Sequence, residues 1–121
     1  MQIKSPIGKQ GETQAAHFLT EKGYRVVEMN FRKNYTEIDI IATKDDTLVF
    51  VEVKTRVSEA YGKPFEAITR SKIDNLTRTA HLYAKMHPHL PKAMRIDAIG
   101  VTMDQDGRVE DIEHIENISG F

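Results

Sequence analysis

The chain has 121 residues, 40% of them hydrophobic and 29% charged, with a net charge of −1 and no cysteine. This suits one domain over residues 1–121 with a sizeable core, and it excludes a disulfide framework or a thiolate zinc site. No apolar run approaches the ~20 residues that span a bilayer and no signal-peptide pattern opens the chain, so a cytoplasmic protein without a membrane partner is expected.

The first helix is expected from Ser5-Pro6, an N-cap followed by proline at the first helical position, to about Lys22, with Gly23 as its stop. Ile7, Ala15, Ala16, Phe18 and Leu19 form an apolar stripe at helical spacing, and Glu12 falls on or beside it. Tyr24–Met29 reads as a strand, followed by a polar link from Asn30 to Tyr35.

Two β-branched runs, Ile38–Ala42 and Leu48–Val53, then flank the polar cluster Lys44-Asp45-Asp46-Thr47, which predicts a β-hairpin. A turn centred between Asp45 and Asp46 places Asp39 across from Glu52, Glu37 across from Lys54, and Ile41 across from Phe50. Strict alternation gives Glu37, Asp39 and Ile41 one face, shared with Phe50, Glu52 and Lys54. Glu37 and Lys54 then read as a cross-strand ion pair, with a catalytic role for Glu37 as the equal alternative. The facing carboxylates of Asp39 and Glu52 are unfavourable by themselves and call for a cation between them.

Gly62 and Pro64 mark a loop over Ser58–Pro64. A second helix is expected from Thr69 or Ser71 to His87, with Ile73, Leu76, Ala80 and Tyr83 facing the core. Met94–Val101 reads as a strand with Arg95 and Asp97 on one face, in reach of a supporting contact to the site or of a strand end. Asp106-Gly107 is a turn, and Val109–Ile115 is a charged edge strand. The order α-β-β-β-α-β-β predicts an α/β fold with a central mixed sheet flanked by helices. Charge is unevenly spread: residues 61–103 carry a net +4 and residues 104–121 a net −5, so a basic face is compatible with the near-neutral total. His87-Pro88-His89 lacks a third ligand nearby in sequence, and His17, His81 and His114 carry no signal.

Asp39, Glu52 and the carbonyl of Val53 can offer oxygens to Mg²⁺ or Mn²⁺, whose bound water is a natural nucleophile. Lys54, on the same face as Glu52, can orient or deprotonate that water and offset charge growing on a phosphorane. The expected chemistry is phosphodiester hydrolysis. Arg32, Lys33, Arg56, Arg70, Lys72 and Arg78 are expected to contact the nucleic-acid backbone, which positions a substrate without reading its sequence.

Asp39, then Glu52-Val53-Lys54, resembles the D…ExK motif of the restriction-endonuclease-like superfamily. With Glu12 on an early helix, the pattern is similar to archaeal Holliday-junction resolvases. Gly8-Lys9-Gln10-Gly11-Glu12, Gly23-Tyr24, Asn30-Phe31-Arg32, Glu37–Ala42, Val49–Lys54, Glu66-Ala67, Lys72 and Arg95-Ile96-Asp97 together resemble the YraN-like family of uncharacterised proteins, from Gly8 to about Val101. The resemblance implies a nuclease-like core (αβββαβ with an extra edge strand) and a metal site at Glu12, Asp39, Glu52 and Lys54. It implies a Mg²⁺-dependent endonuclease acting on structured or branched DNA in repair or recombination; paired cuts at a junction would require a homodimer. Thr36 stands where the family usually has glycine. The rival expectation is a nuclease-fold module that binds nucleic acid or protein with little turnover.

Overall fold

In a computed structural model describing residues 4–58, 68–119 and 121, the chain runs α1 (Pro6–Glu21), β1 (Arg25–Lys33), β2 (Thr36–Lys44), β3 (Thr47–Val57), α2 (Arg70–Met86), β4 (Ala93–Met103) and β5 (Val109–Ile115). The Ser5 side chain accepts the Gly8 N–H at 3.0 Å and Pro6 opens α1, so the expected cap is present. Gly23, at φ 93°, ends that helix. From residue 59 onward the expected 58–64 loop lies outside the described residues, as does Glu66-Ala67.

The five strands lie in the order β1-β2-β3-β4-β5. Neighbours are antiparallel except β3 and β4, which are parallel and joined through α2. The sheet is mixed and flanked by helices, in the element order expected of a restriction-endonuclease-like core with an added edge strand. On one face, Ala15 and Leu19 of α1 pack with Ile40, Ala42, Val49, Val51, Ile99 and Val101. On the other, Leu76, Ala80 and Tyr83 of α2 pack with Ile38, Ile41, Leu48, Phe50 and Ile96. Among the described residues, no helix is long and apolar enough to cross a membrane.

Three expectations need correction. First, β1 continues through the supposed polar link to Lys33, because Phe31 and Arg32 still pair with Ile38 and Glu37. Second, Ile7 is exposed and does not join the core stripe. Third, alternation along β2 fails at Asp39. Ile38 and Ile41, three residues apart, share the α2 face, whereas Ile40 lies on the α1 face. Across the ladder, between the pairs Met29–Ile40 and Phe31–Ile38, Asn30 adopts φ 57°. A left-handed residue inside a strand re-aims the side chains that follow it, and asparagine tolerates that conformation better than most.

Candidate metal centre and its flanks

The hairpin register is the expected one as far as it goes. Lys44–Thr47, Ile41–Phe50 and Ile40–Val51 are paired, with Asp45 at φ 53° in the turn. Past Ile40–Val51 a side chain takes over from the ladder: Asp39 Oδ2 accepts the Val53 N–H at 2.8 Å. The expected Glu37–Lys54 ion pair is absent. Glu37 Oε1 instead accepts from Arg32 at 2.6 Å, and its Oε2 lies 2.5 Å from Lys4 Nζ.

Lys4 organises the site. Its ammonium is held by Glu12 Oε2, by Asp39 Oδ1 at 2.7 Å and by Glu37 Oε2. Glu12 arrives from α1 because Gly11 lets that helix press against β3. A Cβ on Gly11 would overlap Thr55 Oγ1 and come within 2.9 Å of Thr55 Cβ. Glu12, Glu37 and Asp39 each offer an oxygen within 4.8 Å of the others. These three, with Lys4, Glu52, Val53 and Lys72, line one cleft of about 530 Å³.

Of the sequence-predicted residues, Glu12, Asp39, Glu52 and Val53 thus meet in one cleft. Glu12, Asp39 and Glu52 are 5%, 7% and 6% exposed. Glu52 stands apart from the tight trio and is flanked by Lys72 at 3.8 Å and Lys54 at 4.0 Å. Lys54 is exposed and does not line the cleft. Lys4 is missed as a site residue, and Glu37 is taken no further than the alternative to its ion pair. Glu37 had a signal, since it precedes Asp39 by two; Lys4 had none. Of the expected phosphate contacts, Arg32 and Lys72 line this cleft, whereas Lys33 and Arg78 line a second one. Arg70 is exposed at the start of α2, and Arg56 is half-buried on β3.

Burial and then the Asp39 charge push the Glu52 carboxyl up to about 7, against which Lys72 and Lys54 act weakly. Burial also raises Asp39, although Lys4 and the Val53 N–H oppose it. For Glu37, the burial that would raise it is outweighed by Lys4 and Arg32, and its pKa falls. The donor set fits a hard divalent cation: three clustered carboxylates, all oxygen, already converge on a positive charge.

Arg95 and Asp97 belong to a structural network instead of the cleft. The fully buried Asp97 carboxylate accepts from Arg95 Nε at 3.0 Å, the Asn117 N–H at 2.9 Å and His114 Nε2 at 2.8 Å. His114 Nδ1 in turn lies 2.8 Å from Lys22 Nζ, which assigns its proton to Nε2. His87 stacks on Tyr83 with ring centroids 4.0 Å apart, and no acidic or histidine trio among the described residues includes it or His89.

The family model described as "Uncharacterised protein family UPF0102" matches residues 11–101. A UPF0102 protein of Syntrophomonas wolfei is 43% identical over 111 residues, covering 92% of this chain and 95% of the relative. One from Renibacterium salmoninarum is 42% identical over 118 residues, covering 98% and 99%. Among solved structures, "The structure of Pyrococcus Furiosus SfsA in complex with Ca2+" is 18% identical with a TM-score of 0.41, covering 88% of this chain and 62% of that one. With a family model over most of its length and relatives matched nearly end to end, the chain belongs to UPF0102, the YraN-like group that its motifs resemble.

Proposed function

We propose that this protein is a divalent-metal-dependent endonuclease that hydrolyses phosphodiester bonds in DNA with a structured or branched form. One observation carries the reading: carboxylates from α1 and β2 converge on a single positive charge inside a cleft that also holds Glu52. Glu12, Glu37 and Asp39 would hold Mg²⁺ or Mn²⁺ after the Lys4 ammonium withdraws, with Glu52 and the Val53 carbonyl completing the site. When bound, such an ion supplies an activated water and neutralises phosphate charge. Lys54 and Lys72 flank Glu52, which suits them to orient that water and to offset charge on the phosphate. Arg32, Lys33, Arg56, Arg70 and Arg78 would position the backbone. Paired incisions at a junction would require two copies related by a two-fold axis, and a cytoplasmic setting goes with a DNA substrate.

The test is cleavage of linear, flapped and branched DNA, and of RNA, in Mg²⁺ or Mn²⁺. Asp39→Asn keeps an acceptor for the Val53 amide, so it should fold, as should Glu52→Gln. Each is expected to lower cleavage by a factor of about 10²–10³, and Lys54→Ala by a comparable factor, with circular dichroism unchanged. A wild-type protein that cuts no nucleic acid of any geometry would sink the proposal. Metal-independent, salt-sensitive binding without cleavage would move the protein to the binding-module reading, which the filling of the carboxylate cluster by Lys4 favours.

A further inference from the structure

We infer that a second cleft, beside the carboxylate site, takes one unpaired nucleotide, its base stacked on Tyr35 and its phosphates between Lys33 and Arg78. This deepens the nuclease reading and rests on it for the kind of polymer bound. The tight turn between β1 and β2 consists of Asn34 and Tyr35, closed by the Lys33–Thr36 pair, with Asn34 at φ 56°. Tyr35 is fully exposed, at 104%. Phe18, Tyr24, Phe31, Phe50, Tyr83 and Phe121 each have a ring or cation contact; Tyr35 has none among the described residues. Turn chemistry favours Gly, Asn, Asp or Ser at such a position and gives no reason for a bare aromatic ring.

The cleft has a volume of about 450 Å³ and is bounded by that turn and by α2. Among the described residues its lining includes Lys33, Thr36, Asn75 and Arg78, and no carboxylate. Lys33 has no ion-pair partner among the described residues, and Arg78 is hydrogen-bonded to the neutral Asn75 side chain. Two cations without a countercharge among the described residues, beside a bare aromatic ring, match the two halves of a nucleotide. Base–aromatic stacking tolerates any base, and lysine and arginine take the phosphate oxygens. A base inside a duplex is already stacked and paired, so the ring selects an unpaired one.

Both bounding elements also reach the carboxylate site. Arg32 and Glu37, just beyond the turn, line the first cleft, and so does Lys72, one helical turn from Asn75 on α2. The unpaired nucleotide therefore sits at a fixed offset from the carboxylates. The substrate class is DNA with a single-stranded segment next to duplex.

The experiment is binding in EDTA, by fluorescence anisotropy, of one duplex prepared blunt or with a single-stranded oligothymidine tail carrying 2-aminopurine. Wild type should prefer the tailed form and change the 2-aminopurine emission. Tyr35→Ala should lose about tenfold in affinity for the tailed duplex, none for the blunt one, and the emission change; Tyr35→Trp should keep all three. Lys33→Gln with Arg78→Gln should weaken both and flatten the salt dependence. Equal binding of tailed DNA by wild type and Tyr35→Ala overturns the inference, as does an equal loss on both duplexes. Indifference of the wild type to the tail also overturns it and marks Tyr35 as a contact for another kind of partner. Failure here is separable from failure of the hydrolytic reading. Cutting of tailed DNA in Mg²⁺ that ignores Tyr35→Ala keeps hydrolysis and ends this inference, whereas tail-dependent binding without cutting does the reverse.

Discussion

At the scale of single residues, Lys4 and Glu52 make the candidate site testable. The Lys4 ammonium occupies the place a divalent cation would take, since the same oxygens hold it. Lys4→Met keeps the length of the side chain and removes its charge. Its affinity for Mn²⁺, measured by calorimetry, should rise by about tenfold, as expected when a competing ligand is deleted. An unchanged affinity would mean that Lys4 does not fill the cluster in solution. Glu52 predicts a pH effect. Its folded pKa of about 7 lies above the ordinary value of 4.5. Between those two values the unfolded chain ionises this group while the folded protein keeps its proton, so stability falls as pH rises through that window and levels off above it. The full effect is of order 3 kcal/mol. Thermal unfolding in EDTA from pH 4.5 to 7.5 should show the decline, lessened in Glu52→Gln; Asp39, also raised, accounts for a remainder. Identical pH profiles would place Glu52 in an ordinary aqueous environment.

What could be read in advance at this scale follows from how local each signal is. Asp39 and Glu52 stood out because acids inside apolar β-branched runs conflict with burial. Lys4 left no trace because its partners lie 8, 33 and 35 positions away, in a segment without a pattern of its own. Glu37 is expected opposite Lys54 because the hairpin ladder is expected to run on past Ile40–Val51, where the Asp39 carboxylate takes the Val53 N–H instead. His114 escaped because Asp97 and Lys22 reach it from two other elements.

Among the elements, the contact of α1 with β3 decides whether Glu12 reaches the cluster. Gly11→Ala should force the helix away from Thr55 and cost about 1–3 kcal/mol, with weaker metal binding because Glu12 moves as well. Thr55→Ala removes the worst overlap, so the double variant should regain part of the lost melting temperature. Additive losses would show that α1 and β3 are not in contact there. The hairpin and α2 were legible from short-range patterns: a polar turn between β-branched runs, and apolar residues every three or four positions. The end of β1 was not, because Asn30, Arg32 and Lys33 look like a loop until their partners on β2 are known.

For the molecule as a whole, the order of elements was enough to predict a mixed sheet between helices, since an α crossover between strands fixes a parallel neighbour pair. The placement of charge needed the topology. Arg25, Arg32 and Lys33 outnumber Glu28 on β1 at one margin of the sheet, whereas β5 at the other carries Glu110, Asp111 and Glu113 and no lysine or arginine. A molecule with almost no net charge is thereby an electric dipole. If the proposed DNA is its substrate, that dipole would feel a torque in the field of the polyanion before it felt much pull, and would turn the β1 margin, with Tyr35 at the tip, toward the strand while β5 swung outward. Orientation would then precede touch, and a random collision would become a guided one.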